Sequence, residues 1–287
     1  MRLPFVIMTP ACIFLGLGTA VWSSARINVW HFALALVGAI SAHISVNAFN
    51  EYFDFKSGLD MKTKRTPFSG GSGALQAKPE FARWALTVAT ITFVITSLIG
   101  IYFLIVRGLS LLPLGIIGLL VVAAYTTHLV RNPVLCLIAP GIGFGTFMVM
   151  GTHFVLTGAY SWTSFIASLV PFFLVSNLLL LNQFPDVEAD RMVGRKHFPI
   201  LIGRRASSII YGIFILMPFV AIMLSVNYGC LPRAALIGLM ALIVAIPAAV
   251  GAYRHANETG KLLPYMALNV LTNLLTPILV SIGLLVG

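Results

Sequence analysis

Long apolar runs alternate with short polar connections along the whole chain. Nine runs stand out, at about 5–23, 30–53, 81–105, 109–128, 134–156, 162–185, 206–226, 231–252 and 263–286. Each is close to the ~20 residues a helix needs to cross the ~30 Å hydrocarbon core of a bilayer. The pattern predicts an all-α polytopic membrane protein with nine transmembrane helices. It forms a single transmembrane domain, 1–287, with cap segments at about 55–80 and 186–205. Met1 and Arg2 lead straight into the first run, which reads as a span rather than a cleaved leader.

Composition agrees. Hydrophobic residues make up 59% of the chain and charged residues 9%, against roughly 25% charged in soluble domains. A net charge of +10 would suit a nucleic-acid binder, but the distribution of the 18 Lys and Arg residues argues against one. They sit between the apolar runs, and with the N-terminus inside only Arg26, Arg107 and Arg233 fall on the outer face. The positive-inside rule therefore puts the N-terminus in the cytoplasm and the C-terminus outside. The expected location is the plasma membrane of a bacterium or archaeon. Cys12, Cys136 and Cys230 lie in or beside apolar runs without metal-ligand spacing and read as packing residues.

The eight acidic residues change the picture. Six of them, Glu51, Asp54, Asp60, Asp186, Glu188 and Asp190, fall in two stretches that close the second and sixth runs. Carboxylates at such depth are costly unless cations or water meet them. Asn50 and Asp54 are four apart and share a helix face, and Asn182, Asp186 and Asp190 repeat the step. Pro185 is expected to kink the second of these helix ends. The second and sixth spans run in the same direction, so both clusters lie at one membrane face, and the repeat suggests a pseudo-symmetric bundle. Hard cations, above all Mg²⁺, take oxygen ligands and are held by one or two carboxylates plus substrate phosphates. Two facing clusters would hold a diphosphate through Mg²⁺, which neutralises the leaving group. Interfacial salt bridges to nearby Lys and Arg are the plainer alternative, and account less well for two matched clusters.

A polar, basic connection follows each cluster, and both are expected to form short helices or lids over a cavity that opens to the cytoplasm. Lys62, Lys64 and Arg65 precede Ser69-Gly70-Gly71-Ser72-Gly73, whose amides and hydroxyls suit phosphate oxygens. The competing reading is a flexible linker. Arg191, Arg195 and Lys196 stand likewise after the second cluster, where positive-inside anchoring is the competing role.

At these residues the chain resembles the UbiA superfamily of intramembrane prenyltransferases. Asn50-Glu-Tyr-Phe-Asp54 through Asp60, and Asp186-Val-Glu-Ala-Asp190-Arg191 with Gly194-Arg-Lys196, match its two Asp-rich motifs. The resemblance implies a UbiA-like bundle whose cavity binds a polyprenyl diphosphate through Mg²⁺, with a side opening to the lipid. It also implies prenyl transfer to an acceptor, usually an aromatic ring. Phe53–Asp60 and Ser69–Gly73 look most like the dihydroxynaphthoate branch of menaquinone synthesis, so 1,4-dihydroxy-2-naphthoate is the expected acceptor. Leu129 stands where the hydroxybenzoate branch has Lys, while Thr127-His128 and Lys196-His197-Phe198-Pro199 depart from the naphthoate pattern. A hydroxybenzoate, a tetrapyrrole precursor or a sugar phosphate thus stays open as acceptor.

The expected catalytic and metal-binding residues are Asp54, Asp60, Asp186 and Asp190, with Asn50 and Asn182 assisting. Either Asp186 or Asp190 is alternatively the base that deprotonates the acceptor. Lys62, Arg65, Ser69, Arg191 and Lys196 are candidate diphosphate contacts, and Tyr125, ending the fourth span, is the candidate acceptor contact. Asn269, Asn273, His43 and His153 read mainly as bundle-packing groups. A cation or metabolite transporter is the alternative of another class, although its site would be expected near the midplane.

Overall fold

All regular structure is helical among the residues that the computed structural model describes, 3–63 and 65–287, with the side chains of Leu3, Pro4 and Asp60 outside that description. Eight helices are long and apolar enough to cross a membrane: α1 (Phe5–Trp22), α2 (Val29–Lys56), α3 (Pro79–Arg107), α5 (Pro133–Thr157), α6 (Trp162–Asn182), α7 (Gly203–Asn227), α8 (Arg233–Arg254) and α9 (Thr259–Val286). Between α3 and α5 lies a shorter apolar helix, α4 (Leu109–Ala124). At 1.5 Å per residue it spans only ~24 Å, so the fourth expected span is the one that falls short. The chain leaves the helix after Ala124 and turns through Tyr125–His128 into a 3₁₀ turn at Leu129–Arg131. This break directs Tyr125 and Thr126 towards the end of α2.

Local sequence explains where the elements start and stop. Asn28 caps α2, its side chain accepting from the amides of Trp30 at 2.9 Å and His31 at 3.2 Å. Asn132 does the same for α5, with Pro133 at the first position. Past the end of α2, Gly58 adopts φ +72°, the left-handed conformation that lets the chain fold back. Within α5 the run Ile142–Met150 widens into a π-helix, just after Pro140 has removed a backbone donor.

Lipid supplies no hydrophobic drive for helix pairing, so close packing of small residues holds the bundle. On α5, Gly141 and Gly145 are one turn apart and admit α6. A Cβ at Gly141 would lie 2.2 Å from the Phe172 carbonyl oxygen, and one at Gly145 2.4 Å from that of Ser168. A stripe of buried alanines on α8 (Ala241, Ala245, Ala248 and Ala252) serves the same purpose in the main core, which also draws on α6, α7 and α9. A second cluster, around Phe103, Leu111, Phe154 and Val155, closes the opposite half of the bundle. There Arg107 donates to the carbonyls of Val155 at 2.7 Å and Leu156 at 3.0 Å, satisfying the end of α5.

The connection after α2 holds short helices at Leu59–Lys62 and Ala74–Ala77, and the one after α6 holds Val187–Met192 and Phe198–Leu201. Both pack over the same end of the bundle, where hydrogen bonds join them to α2 and to each other.

Candidate functional site

A cavity of about 460 Å³ runs up the middle of α1–α6. Ala35, Gly38, Ala42, Val46, Asn50 and Asp54 line it from one stripe of α2, so it follows that helix for twenty residues, ~28 Å. Its lower walls are apolar, with Phe103, Phe144, Phe147 and Leu178 among them. Its head is polar, formed by Asn50, Glu51, Asp54, Asn182, Asp186, Asp190, Arg195 and the Ser69–Gly71 loop. Such a shape suits an amphiphile with a charged head and a long apolar tail.

The head is organised around one guanidinium. Arg195 bonds Asp54 on α2 through one nitrogen and Asp190 Oδ1 through another, the latter at 3.1 Å. The second oxygen of Asp190 meets His197 Nε2 at 2.9 Å. Burial works against the Arg195 charge, yet the carboxylates of Asp54 and Asp190 outweigh it and hold its pKa above the ordinary arginine value. Asn50 Nδ2 donates to Asp54 Oδ2 at 3.0 Å, and the Thr126 hydroxyl donates to Asn50 Oδ1 at 3.1 Å, which fixes the amide's orientation.

The glycine-rich loop closes the head from above. Thr66 and Ser69 hold its turn, with the Ser69 amide donating to Thr66 Oγ1 at 2.8 Å and the Thr66 amide to the Ser69 carbonyl at 3.1 Å. Gly70 (φ +79°), Gly71 (φ +68°) and Gly73 (φ +74°) take left-handed conformations that L side chains disfavour. The Gly70 amide reaches Asp186 Oδ2 at 3.1 Å, and the Ser72 hydroxyl bonds Glu51. The loop thereby joins the first acidic stretch to the second.

Asn50, Asp54, Ser69, Tyr125, Asn182, Asp186 and Asp190 all line this cavity. The side chain of Asp60 lies outside the described residues. The four cations expected at the phosphates stand elsewhere. Lys62 is exposed, Arg65 is exposed and bonds Gln76, and Arg191 pairs with Glu188 at 3.1 Å on the surface. Lys196 is exposed while its backbone amide donates to the Val130 carbonyl. Successive residues of a helix point ~100° apart, so Arg191 faces away from the side that Asp190 presents. Arg195 instead turns back, helped by Gly194 at φ +77°. Sequence reasoning grouped Arg195 with the cations after the second cluster but chose Arg191 and Lys196 as the phosphate contacts, and gave His197 no role, although the glycine four residues after Asp190 was a signal that the chain reverses there.

The donor set fits Mg²⁺ held together with phosphate oxygens. It consists of oxygens only, from Asp54, Asp186, Asp190, Asn50 and Asn182, and the buried Asn182 Oδ1 has no hydrogen-bond partner among the described residues. No group of three or more acidic, His or Cys side chains among the described residues forms a metal cage by itself. A dedicated cage is unnecessary, because Mg²⁺ keeps several waters and binds through one or two carboxylates plus substrate phosphates.

The chain is similar in sequence and in fold to known proteins. The chain is 26% identical to a 1,4-dihydroxy-2-naphthoate octaprenyltransferase of Bacillus subtilis, over 91% of this chain and 83% of that protein. It is 23% identical to one from Haemophilus influenzae, over 96% and 91%. The apo structure of a UbiA homolog from Aeropyrum pernix K1 superposes with a TM-score of 0.75 at 18% identity, covering 99% of this chain and 98% of that one. The UbiA prenyltransferase family model matches residues 10–275. The transporter alternative therefore falls, and this multi-pass membrane protein belongs to the UbiA prenyltransferase family.

Proposed function

We propose that the protein transfers a polyprenyl group from polyprenyl diphosphate to 1,4-dihydroxy-2-naphthoate, releasing diphosphate at the cytoplasmic face of a bacterial or archaeal plasma membrane. The observation that carries the reading is the cavity itself, apolar for most of its length and headed by two acidic clusters from α2 and from beyond α6. The names of the relatives favour the naphthoate, and the cations crowded between spans favour the cytoplasmic side.

Asp54, Asp60, Asp186 and Asp190, assisted by Asn50 and Asn182, would hold Mg²⁺ with the diphosphate. When bound, the metal offsets the charge that develops on the leaving group. The Ser69–Gly71 loop closes over the head and keeps water away from it. The bond between the prenyl C1 and the diphosphate oxygen breaks, with its electron pair leaving on oxygen. A ring carbon of the acceptor then bonds C1. That carbon recovers aromaticity by losing its own electrofuge, a proton, or carbon dioxide where it bears the carboxylate. The apolar walls protect the allylic cation from capture by water, and Phe144 and Phe147 present rings along its path. Tyr125, which lines the cavity near its head, would contact the acceptor.

Asp54→Asn tests the reading. Diphosphate release should fall to the uncatalysed level while the protein stays folded, and persisting turnover would remove Asp54 from the machinery.

A further inference from the structure

The two acidic clusters meet at Arg195. Asp54 and Asp190 come from elements far apart in the chain, and this one side chain spans them. Its segment is pinned on both sides, the Arg195 amide donating to the Asp190 carbonyl and the Lys196 amide to the Val130 carbonyl, each at 3.1 Å. Two facing carboxylates in a poorly solvated pocket repel each other, and a shared cation offsets that repulsion and holds them close. A divalent cation arriving with diphosphate needs the same carboxylates.

We propose that Arg195 is a resident cation, filling the cradle between Asp54 and Asp190 in the substrate-free protein and yielding it to Mg²⁺ when substrate binds. The guanidinium then passes to the diphosphate oxygens, which its planar fork fits. Asp190 is built for this exchange, because His197 keeps hold of its second oxygen at 2.9 Å after Arg195 has left. The proposal rests on the reading of these carboxylates as metal ligands. Its consequence runs against the usual effect of deleting a site residue. Mg²⁺ competes with Arg195, so removing the guanidinium should tighten Mg²⁺ binding.

The test uses the full chain in lipid nanodiscs with Mg²⁺ alone as the probe, read as protection against thermal unfolding. Arg195→Gln should reach half-saturation at about tenfold lower Mg²⁺, the effect of removing ~1.4 kcal/mol of competition. Arg195→Lys keeps a charge but not the fork that spans both carboxylates, and should lower the midpoint by about threefold. It carries the test if Arg195→Gln does not fold. An unchanged or higher Mg²⁺ midpoint in the folded variant overturns the proposal. Asp54→Asn separates the two readings. If it retains wild-type Mg²⁺ protection, the metal-ligand reading itself fails. If it loses protection while the Arg195 variants keep the wild-type midpoint, only the resident cation fails.

Discussion

Gly70 offers a quantitative test of the loop over the cavity head. Its φ of +79° lets its amide reach Asp186 Oδ2 at 3.1 Å. An L-residue in that conformation costs ~1–2 kcal/mol, so in Gly70→Ala the closed loop becomes less populated by that amount. A ligand that needs the closed loop binds more weakly in proportion, which raises KM for the prenyl diphosphate by about fivefold to thirtyfold. The chemistry after closure is unchanged, so kcat should hold. Gly158→Ala is the matched control, because Gly158 has φ +85° in the left-handed region between α5 and α6, outside the cavity lining. It carries similar strain and should lose stability without a change in KM. Initial rates of diphosphate release at varied prenyl diphosphate measure both. A KM within about twofold of wild type in Gly70→Ala, against the strain expected for it, would refute the argument. An equal rise in Gly158→Ala would refute it too.

Three further outcomes follow from packing. Gly141→Val puts a side chain 2.2 Å from a carbonyl oxygen of α6, which cannot yield, so overpacking by ~1–3 kcal/mol should lower the unfolding midpoint by at least a few degrees; an unchanged midpoint would mean the α5–α6 seam is misplaced. Arg107→Ala strips two charge-assisted hydrogen bonds from the end of α5, which should cost on the order of 2 kcal/mol in stability. Prenyl transfer should persist, since Arg107 lies at the far end of α3 from the acidic clusters, and a lost kcat would contradict that separation. Gly115 lines the cavity with nothing within 4 Å of an added Cβ, so Gly115→Phe should block long prenyl chains while geranyl diphosphate still reacts. Equal loss across all chain lengths would show that the tail does not run past it.

Much of this architecture is legible in the sequence because two strong constraints act on it. Bilayer thickness sets run lengths, so the helix positions follow from hydropathy; the exception is α4, where the polar Tyr125-Thr126-Thr127 ends the helix early. The cost of burying carboxylates likewise marks Asp54, Asp186 and Asp190 as a group, and the four-residue step brings Asn50 and Asn182 with them. The cations are harder to read. Lys62, Arg65, Arg191 and Lys196 follow the clusters in sequence, but where each points depends on where a six-residue helix or a turn ends. Spacing alone does not reveal that Arg191 faces outward while Arg195 turns in. Nor does it reveal the π-helical stretch of α5, which depends on how Gly141 and Gly145 seat against α6.

Prenyl transfer to a naphthoate is the activity proposed for the acidic head and apolar cavity. The most direct measurement is diphosphate release and product formation by the purified protein with a polyprenyl diphosphate and Mg²⁺. It compares 1,4-dihydroxy-2-naphthoate, 4-hydroxybenzoate and no acceptor. Release coupled to a prenylated product with the naphthoate alone is the predicted result. Release and product only with 4-hydroxybenzoate, or none with either acceptor, would contradict it.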